Sequence, residues 1–236
     1  MENDSLIKIT YQDLLQRYPQ IDQKYQSFDD YYQLHEQYQG YCLVKKEYHM
    51  TIVDVVQMTY QRELAFSILK DIKKKYEQQL YLLEIIVHDF NHVYQTYLYG
   101  NHLFLEIKEY KDIPLEAIKI RQTVFMKEQG FTDEFDERDH HCSHIVLYDG
   151  LQAIATCRYF EEEGHYVLGR IAVVQSYRYQ RIGTMMILYV LKKLQFQTVV
   201  LHAQLQAGPF YEKLGFHTYG QIEYEEHCPH TWMKKE

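Results

Sequence analysis

The residues best suited to chemistry lie together in one stretch. An apolar run, Leu168-Gly169-Arg170-Ile171-Ala172-Val173-Val174, leads into Arg178-Tyr179-Gln180-Arg181-Ile182-Gly183-Thr184. A strand that runs into such a loop and then opens a helix aims several unpaired backbone N–H groups at one spot. The helix dipole adds partial positive charge there, so the spot suits a pyrophosphate. Gly183 would let a phosphate come close to the backbone, and Arg178 and Arg181 could add charge. The loop alone also reads as an ordinary strand-to-helix turn with solvated arginines. A second grouping is His140-His141-Cys142-x-His144 with His227-Cys228-x-His230. It holds enough nitrogen and sulfur for zinc, but its spacings do not match a standard finger. No metal is expected.

The elements that would position these groups can be read from periodicity and turn residues. After a turn at Tyr99-Gly100-Asn101, a strand is expected over 102–108 and a helix from Pro114 to Gln129, stopped by Gly130. Leu115, Ile118, Val124 and Phe125 are its expected buried positions. An acidic loop over 133–139 precedes strands at 144–148, 151–160 and 166–174, the first two joined by the turn signal Asp149-Gly150. A helix over 182–196 places Ile187, Val190, Leu191 and Leu194 on one face. A strand at 198–202, a short helix at 208–214 ended by Gly215, and two strands bracketing 227–230 complete a mixed α/β sheet.

Composition limits the function classes. The chain has 236 residues, 46% hydrophobic and 25% charged, enough to bury a core. No run approaches the roughly 18 apolar residues of a membrane span, and the start, Met1-Glu2-Asn3-Asp4, does not read as a signal peptide. A soluble, cytoplasmic protein with no membrane partner is expected. The net charge of −8 argues against a nucleic-acid partner, which needs a basic footprint, and suits a cationic substrate. Cys42, Cys142, Cys157 and Cys228 form no C-x-x-C pair and read as free thiols.

The loop at 178–183 resembles the acyl-CoA-binding motif R/Q-x-x-G-x-G/A of the GNAT acetyltransferase superfamily. Arg178 takes the first position, Gly183 the last, and Arg181 replaces the central glycine. Residues 202–216 resemble the second signature, N-x-x-A-x-x-F-Y-x-x-x-G-F. Gln204 stands for Asn; Ala207, Phe210, Tyr211, Gly215 and Phe216 match. Further blocks resemble the ElaA/YjcF-like branch. They are Arg121-x-x-Val124-Phe125-x-x-Glu128-Gln129, Asp136-x-x-Asp139 with His144, Arg158, Gly169-Arg170-Ile171-Ala172-Val173, and Glu225-Glu226-x-Cys228-Pro229-His230-x-x-Met233. The resemblance covers about residues 103–235.

That resemblance implies a mixed, mainly antiparallel seven-stranded sheet flanked by helices, and acetyl transfer from acetyl-CoA to a primary amine of a small molecule or peptide. Acetyl-CoA would wedge where the central strand and the next one splay apart, against the backbone of Ile171, Ala172 and Val173, with its pyrophosphate on 178–184. Gln204, Ala207 and Phe210 would line the same cleft. An N–H aimed at the thioester oxygen would stabilise a tetrahedral intermediate. Tyr211 would protonate the departing thiolate, since a phenol with a pKa of about 10 is a donor at neutral pH; it reads equally as a core aromatic, one of 24 tyrosines. Glu128, Asp136, Asp139, His144 and His230 are candidates for the general base, with Glu128 and His230 foremost, and water could serve instead. Two other functions stay open: an acyl-CoA sensor without turnover, and an interaction protein acting through its first domain. A homodimer is also admitted.

Residues 1–100 lie outside the resemblance and are expected to form a smaller, divergent α/β domain ahead of the acetyltransferase domain, 101–236. A hairpin at 40–44 and 50–56, a helix at 62–78 and a strand at 80–87 repeat the order of 151–160, 166–174, 182–196 and 198–202. This suggests a degenerate internal copy, with no glycine in Met58-Thr59-Tyr60-Gln61-Arg62-Glu63 where the phosphate loop should be.

Overall fold

The computed structural model describes residues 6–19, 21, 23–34, 40–46, 51–57, 62–76, 83–88, 93–100, 103–195 and 197–236. They fall into two compact units, Met1–Glu106 and Ile107–Glu236. The first contains β1 (Leu6–Ile9), α1 (Tyr11–Arg17), β2 (Asp30–Leu34), β3 (Gly40–Lys46), β4 (Thr51–Gln57), α2 (Arg62–Tyr76), β5 (Leu83–His88) and β6 (Val93–Gly100). Thr10 opens α1 through a capping box: the Asp13 N–H donates to Thr10 Oγ1, and the Thr10 N–H donates to Asp13 Oδ2. Alternation along β3 and β4 builds two cores. Cys42, Val44, Val53 and Val55 pack with Ile68 and Ile72 of α2, while Tyr41, Leu43 and Val56 pack with Leu14 of α1. The side chains of Leu64 and Leu69, and the expected turn residues 58–61 and 101, lie outside the described residues.

The boundary falls within β7 (Leu103–Tyr110); the second unit continues with α3 (Leu115–Arg121), β8 (Ser143–Asp149), β9 (Gln152–Glu162), β10 (His165–Val173), α4 (Ile182–Lys193), β11 (Val199–Gln204), α5 (Gly208–Glu212), β12 (His217–Glu225) and β13 (Cys228–Lys235). Its seven strands follow the order β7-β8-β9-β10-β11-β13-β12. The pairs β8–β9, β9–β10, β11–β13 and β12–β13 are antiparallel, and β10–β11 is parallel. This is the mixed, mainly antiparallel sheet expected. Ile187, Val190, Leu191 and Leu194 are all buried.

The helix expected over 114–129 departs from its sequence pattern. After Arg121 the chain widens into a π-helix over Gln122–Glu128. Leu115 is 59% exposed, whereas Ala117, Ile120, Arg121 and Val124 are buried. The i→i+5 turns shift the phase of the later residues, and the buried Arg121 takes a place that a hydrophobic count does not assign.

The two units share a pairing scheme. In the first, β1–β2, β2–β3 and β3–β4 are antiparallel, β4–β5 parallel and β5–β6 antiparallel. From β8 onward the second unit repeats it, with β13 in the place of β6. The central parallel pair differs. β4 and β5 stay in register for six residues, from Thr51↔Leu83 to Val56↔His88. β10 and β11 pair only at Tyr166↔Val199 and Val167↔Val200.

Candidate active site

The gap between β10 and β11 has a local cause. Register between β10 and β9 jumps from Gly169↔Arg158 to Ala172↔Thr156, so Arg170 and Ile171 together face one residue of β9. Arg170, within the bulge, sits at φ 51°, the left-handed backbone that one class of bulge uses. A bulge inverts the alternation beyond it. Tyr166 N–H donates to Thr198 on the β11 side, whereas Val174 N–H donates to Ile154 of β9. By the two-residue repeat, the amides of Ile171 and Val173 therefore face the open β11 side, and Ala172 turns its side chain into the core with Ile120 and Val124. β4 in the first unit pairs with β3 through seven consecutive residues without a shift, so that strand has no such bulge.

β10 runs through a 3₁₀ turn, Gln175–Tyr177, to the start of α4. Arg181 is the N-cap of α4 at φ 62° and offers no side-chain cap, so its side chain does not compete for the first N–H groups of this helix, which suit an anion. The residue standing for the motif's central glycine thus adopts the left-handed backbone glycine favours, as does the exposed Tyr179 at φ 63°. That conformation costs an L-residue roughly 1–2 kcal/mol, partly offset by the extra chain entropy of glycine when unfolded. Arg181→Gly is expected to raise stability by about 0.5 kcal/mol, read as an upward shift in Tm of about 1–2 °C; a lowered Tm would show that the arginine makes a compensating contact. Gln180 donates to the Ser176 carbonyl. Gly183 has a role beyond the one expected: a Cβ there would come 3.3 Å from the Phe210 ring and 3.9 Å from Val173 Cγ2. Its missing side chain lets α5 approach α4, so a bulky residue would disturb this packing. Ile182 is buried and Thr184 partly buried in the first turn of α4.

Arg178 and Glu128, expected in separate roles, are joined. Arg178 Nη2 pairs with Glu128 Oε2, and its Nε donates to the Val173 carbonyl at 3.0 Å. Gln204 donates to Gln129 Oε1 at 2.9 Å and accepts from Gln206 Nε2 at 2.9 Å. Ala207 caps α5.

Tyr211 is 8% exposed and packs edge-on against Phe210 and Phe216. Burial, with Cys157 nearby, pushes its hydroxyl pKa well above the ordinary phenol value, which keeps it protonated. Cys157 pairs with Ile145 of β8; the next residue, Val146, packs on Ala117 of α3. Side chains alternate, so Tyr211 lies by the sheet face opposite α3.

His230 occupies the other side. It is buried and its ring meets Phe131, beyond α3, at 6.3 Å. Its Nδ1 lies 3.0 Å from the Cys228 carbonyl, which assigns the proton to Nδ1 in the neutral ring and leaves the Nε2 lone pair available. Beside it is a pocket of about 290 Å³, bordered by Gln129, Phe131, Gln204, Gln206, His227 and Cys228. Its two walls are clamped: Glu226 accepts the N–H groups of Thr132 and Asp133, and His227 Nε2 lies 2.9 Å from the Gln129 carbonyl.

Asp136, Asp139 and His144, weighed as bases, are committed elsewhere. Arg121 donates to Asp139 at 2.6 and 3.0 Å and to Glu134 at 2.7 Å. Arg158 donates to Asp136 at 2.6 and 2.7 Å and to Asp139 at 2.7 Å. The two guanidiniums hold the Asp139 carboxyl down at about 2 despite its burial. His144 Nε2 lies 2.8 Å from the Asp139 carbonyl and 3.2 Å from Cys142 Sγ. Asp139, Cys142 and His144 bring three potential metal donors within 4.8 Å of one another. The Asp139 oxygens already accept from Arg121 and Arg158, and burial raises the Cys142 thiol to about 11. The network fastens the acidic loop to the sheet. Sequence reasoning missed the pocket-lining Gln129 and the bridging Glu226, although both lie in the blocks quoted for the resemblance.

A bulged central strand, a splayed parallel pair and an uncapped helix start come together as the candidate acyl-CoA site. The family model described as "Acetyltransferase (GNAT) domain" matches residues 109–236. The chain is 37% identical over 130 residues to the uncharacterised protein YyaT of Bacillus subtilis, covering 51% of this chain and 87% of that one. It is 34% identical over 131 residues to the uncharacterised N-acetyltransferase YjcF of the same organism, covering 51% and 91%. Escherichia coli ElaA shares the fold at 22% identity and a TM-score of 0.52, over 56% of this chain and 99% of that structure. The chain belongs to the GNAT acetyltransferase family. It is an acyltransferase, of a family whose members take the acyl group from acetyl-CoA. Among the described residues, no helix is long and apolar enough to cross a membrane.

Proposed function

We propose that the chain is a cytoplasmic N-acetyltransferase that moves the acetyl group to a primary amine of a small molecule or peptide by direct attack. The observation that carries this reading is the placement of Tyr211 by one face of the sheet and His230 on the other, with the β10–β11 gap between. The amides of Ile171 and Val173 would bind the pantetheine arm and the thioester oxygen, stabilising charge that develops there. An amine entering from the pocket beside Phe131 would give its proton to His230, and Tyr211 would protonate the leaving thiolate. The charge of −8 favours a cationic acceptor over a nucleic acid. The pairing of Glu128 with Arg178 favours His230 as the base.

Residues 1–100 would be a degenerate copy of this domain, on the evidence of the shared pairing scheme. Its continuous β4–β5 pair leaves no gap for a pantetheine arm. Calorimetry on the full chain is therefore expected to give one CoA per chain, with pantetheine lacking phosphates bound at least tenfold more weakly. Two sites per chain, or equal affinities, would contradict the assignment. Turnover of acetyl-CoA with a panel of amines tests the reaction itself. A second reading, acyl-CoA binding without turnover, draws on the ties already held by Arg178 and Gln204; tight CoA binding with no turnover would select it.

A further inference from the structure

On the face of β11, β13 and β12 that carries His230, three more side chains form a connected group. His202 Nδ1 lies 2.7 Å from Glu225 Oε1, and His230 Nε2 lies 3.6 Å from Glu225 Oε2. The His202 ring is stacked on Trp232 at 4.7 Å and 18°, and meets the His230 ring at 5.0 Å. Register explains the grouping: His202 pairs with Trp232, Gln204 and Glu223 both pair with His230, and Glu225 pairs with Cys228. Paired residues share a face, so one surface holds this group and the pocket-lining Gln204 and Cys228.

We propose that Glu225, oriented by His202, is a positioning residue that sets the basicity of His230. This rests on the acetyl-transfer reading above. As the amine nitrogen forms its bond to the acetyl carbon, its proton passes to His230 Nε2. The resulting imidazolium donates through Nδ1 to the Cys228 carbonyl and faces the Glu225 carboxylate at Nε2. That carboxylate stabilises the cation. Glu225 is also about half exposed, which opens a route for the proton to leave to water and regenerate the neutral ring. His202 donates from Nδ1 to Glu225 and is fixed by the tryptophan stack, so the carboxylate is held without a rotamer search. The titratable groups facing His230 are Glu225 and Glu223 from β12, His202 from β11 and Cys228 on its own strand. From the segment after α3 it meets the uncharged ring of Phe131.

The test uses the full chain with Glu225→Gln, which keeps shape and removes charge. The imidazole of His230 is followed by NMR titration, and kcat/KM is measured against pH with the best amine found. The expected result is a fall of about one pH unit in the His230 titration, with the acid limb of kcat/KM moving down equally. A decrease of about three- to tenfold in kcat is expected at neutral pH, since the rate follows the basicity of the ring with a coefficient of 1 or less. His202→Ala should move the limb in the same direction, and His202→Asn, which keeps a donor near the Nδ1 position, should restore most of it. An unmoved titration in folded Glu225→Gln would overturn the proposal, since a merely structural residue would not shift it. His230→Ala with wild-type kcat and pH profile would overturn it too, while leaving acetyl transfer intact. Absent turnover in wild type would remove the transfer reading instead, a result the NMR titration distinguishes.

Discussion

Tyr211→Phe is expected to lower kcat about 10²-fold and to leave CoA affinity within about twofold of wild type. An acid that protonates the thiolate acts in the transition state more than in the ground state, so its removal appears in kcat and not in binding. General-acid loss is worth about 10² to 10⁴, and the low end is expected because water can partly replace the phenol. The surroundings support the substitution as a clean probe. The ring is held by Phe210 and Phe216, contacts that phenylalanine keeps, and no hydrogen bond to a described residue involves the hydroxyl. Steady-state turnover beside calorimetric CoA affinity measures both quantities. Unchanged kcat with unchanged affinity would return Tyr211 to the hydrophobic core.

The largest stability effect is expected at Asp139. Its side chain is 3% exposed and receives two arginines, which are themselves 1% and 6% exposed. Asp139→Asn leaves those guanidiniums short of a negative charge inside the protein. Breaking a buried pair of this kind costs about 3–5 kcal/mol, a drop in Tm of about 10 °C for a chain of this size. Trp232, the single tryptophan, lies in the second unit, and its fluorescence reports this transition. The pH dependence has a definite sign. The Asp139 carboxyl titrates near 2 when folded against 3.8 in the reference state. Its contribution is fully present above about pH 4 and is lost as pH falls toward 2. The difference between wild type and Asp139→Asn should therefore narrow over that window. A mutant as stable as wild type at pH 7 would show that the network does not hold the acidic loop.

The sequence by itself determined the elements and the binding signatures, because these depend on local properties. Apolar periodicity marks the buried face of α4, turn residues mark the hairpin at Asp149-Gly150, and the spacing of Arg178 to Gly183 marks the loop proposed to hold the phosphates. Each follows from a few neighbouring residues. Arg181 was legible as a departure from glycine, and its left-handed backbone is the local consequence.

Only the tertiary structure decided how distant groups share their charges. Glu128 and Arg178, 50 positions apart, are paired, which changes the weighting of the candidate bases. Arg121 is buried because Glu134 and Asp139 come to meet it, a condition that helical periodicity cannot express. The bulge at Arg170 depends on register against β9, and a one-residue shift there turns the amides of Ile171 and Val173 into the gap. His202, Glu225 and His230 stand on three strands that meet only when the sheet is assembled. Side-chain alternation is fixed along each strand, but which faces align across strands is set by pairing, and pairing is a property of the whole fold.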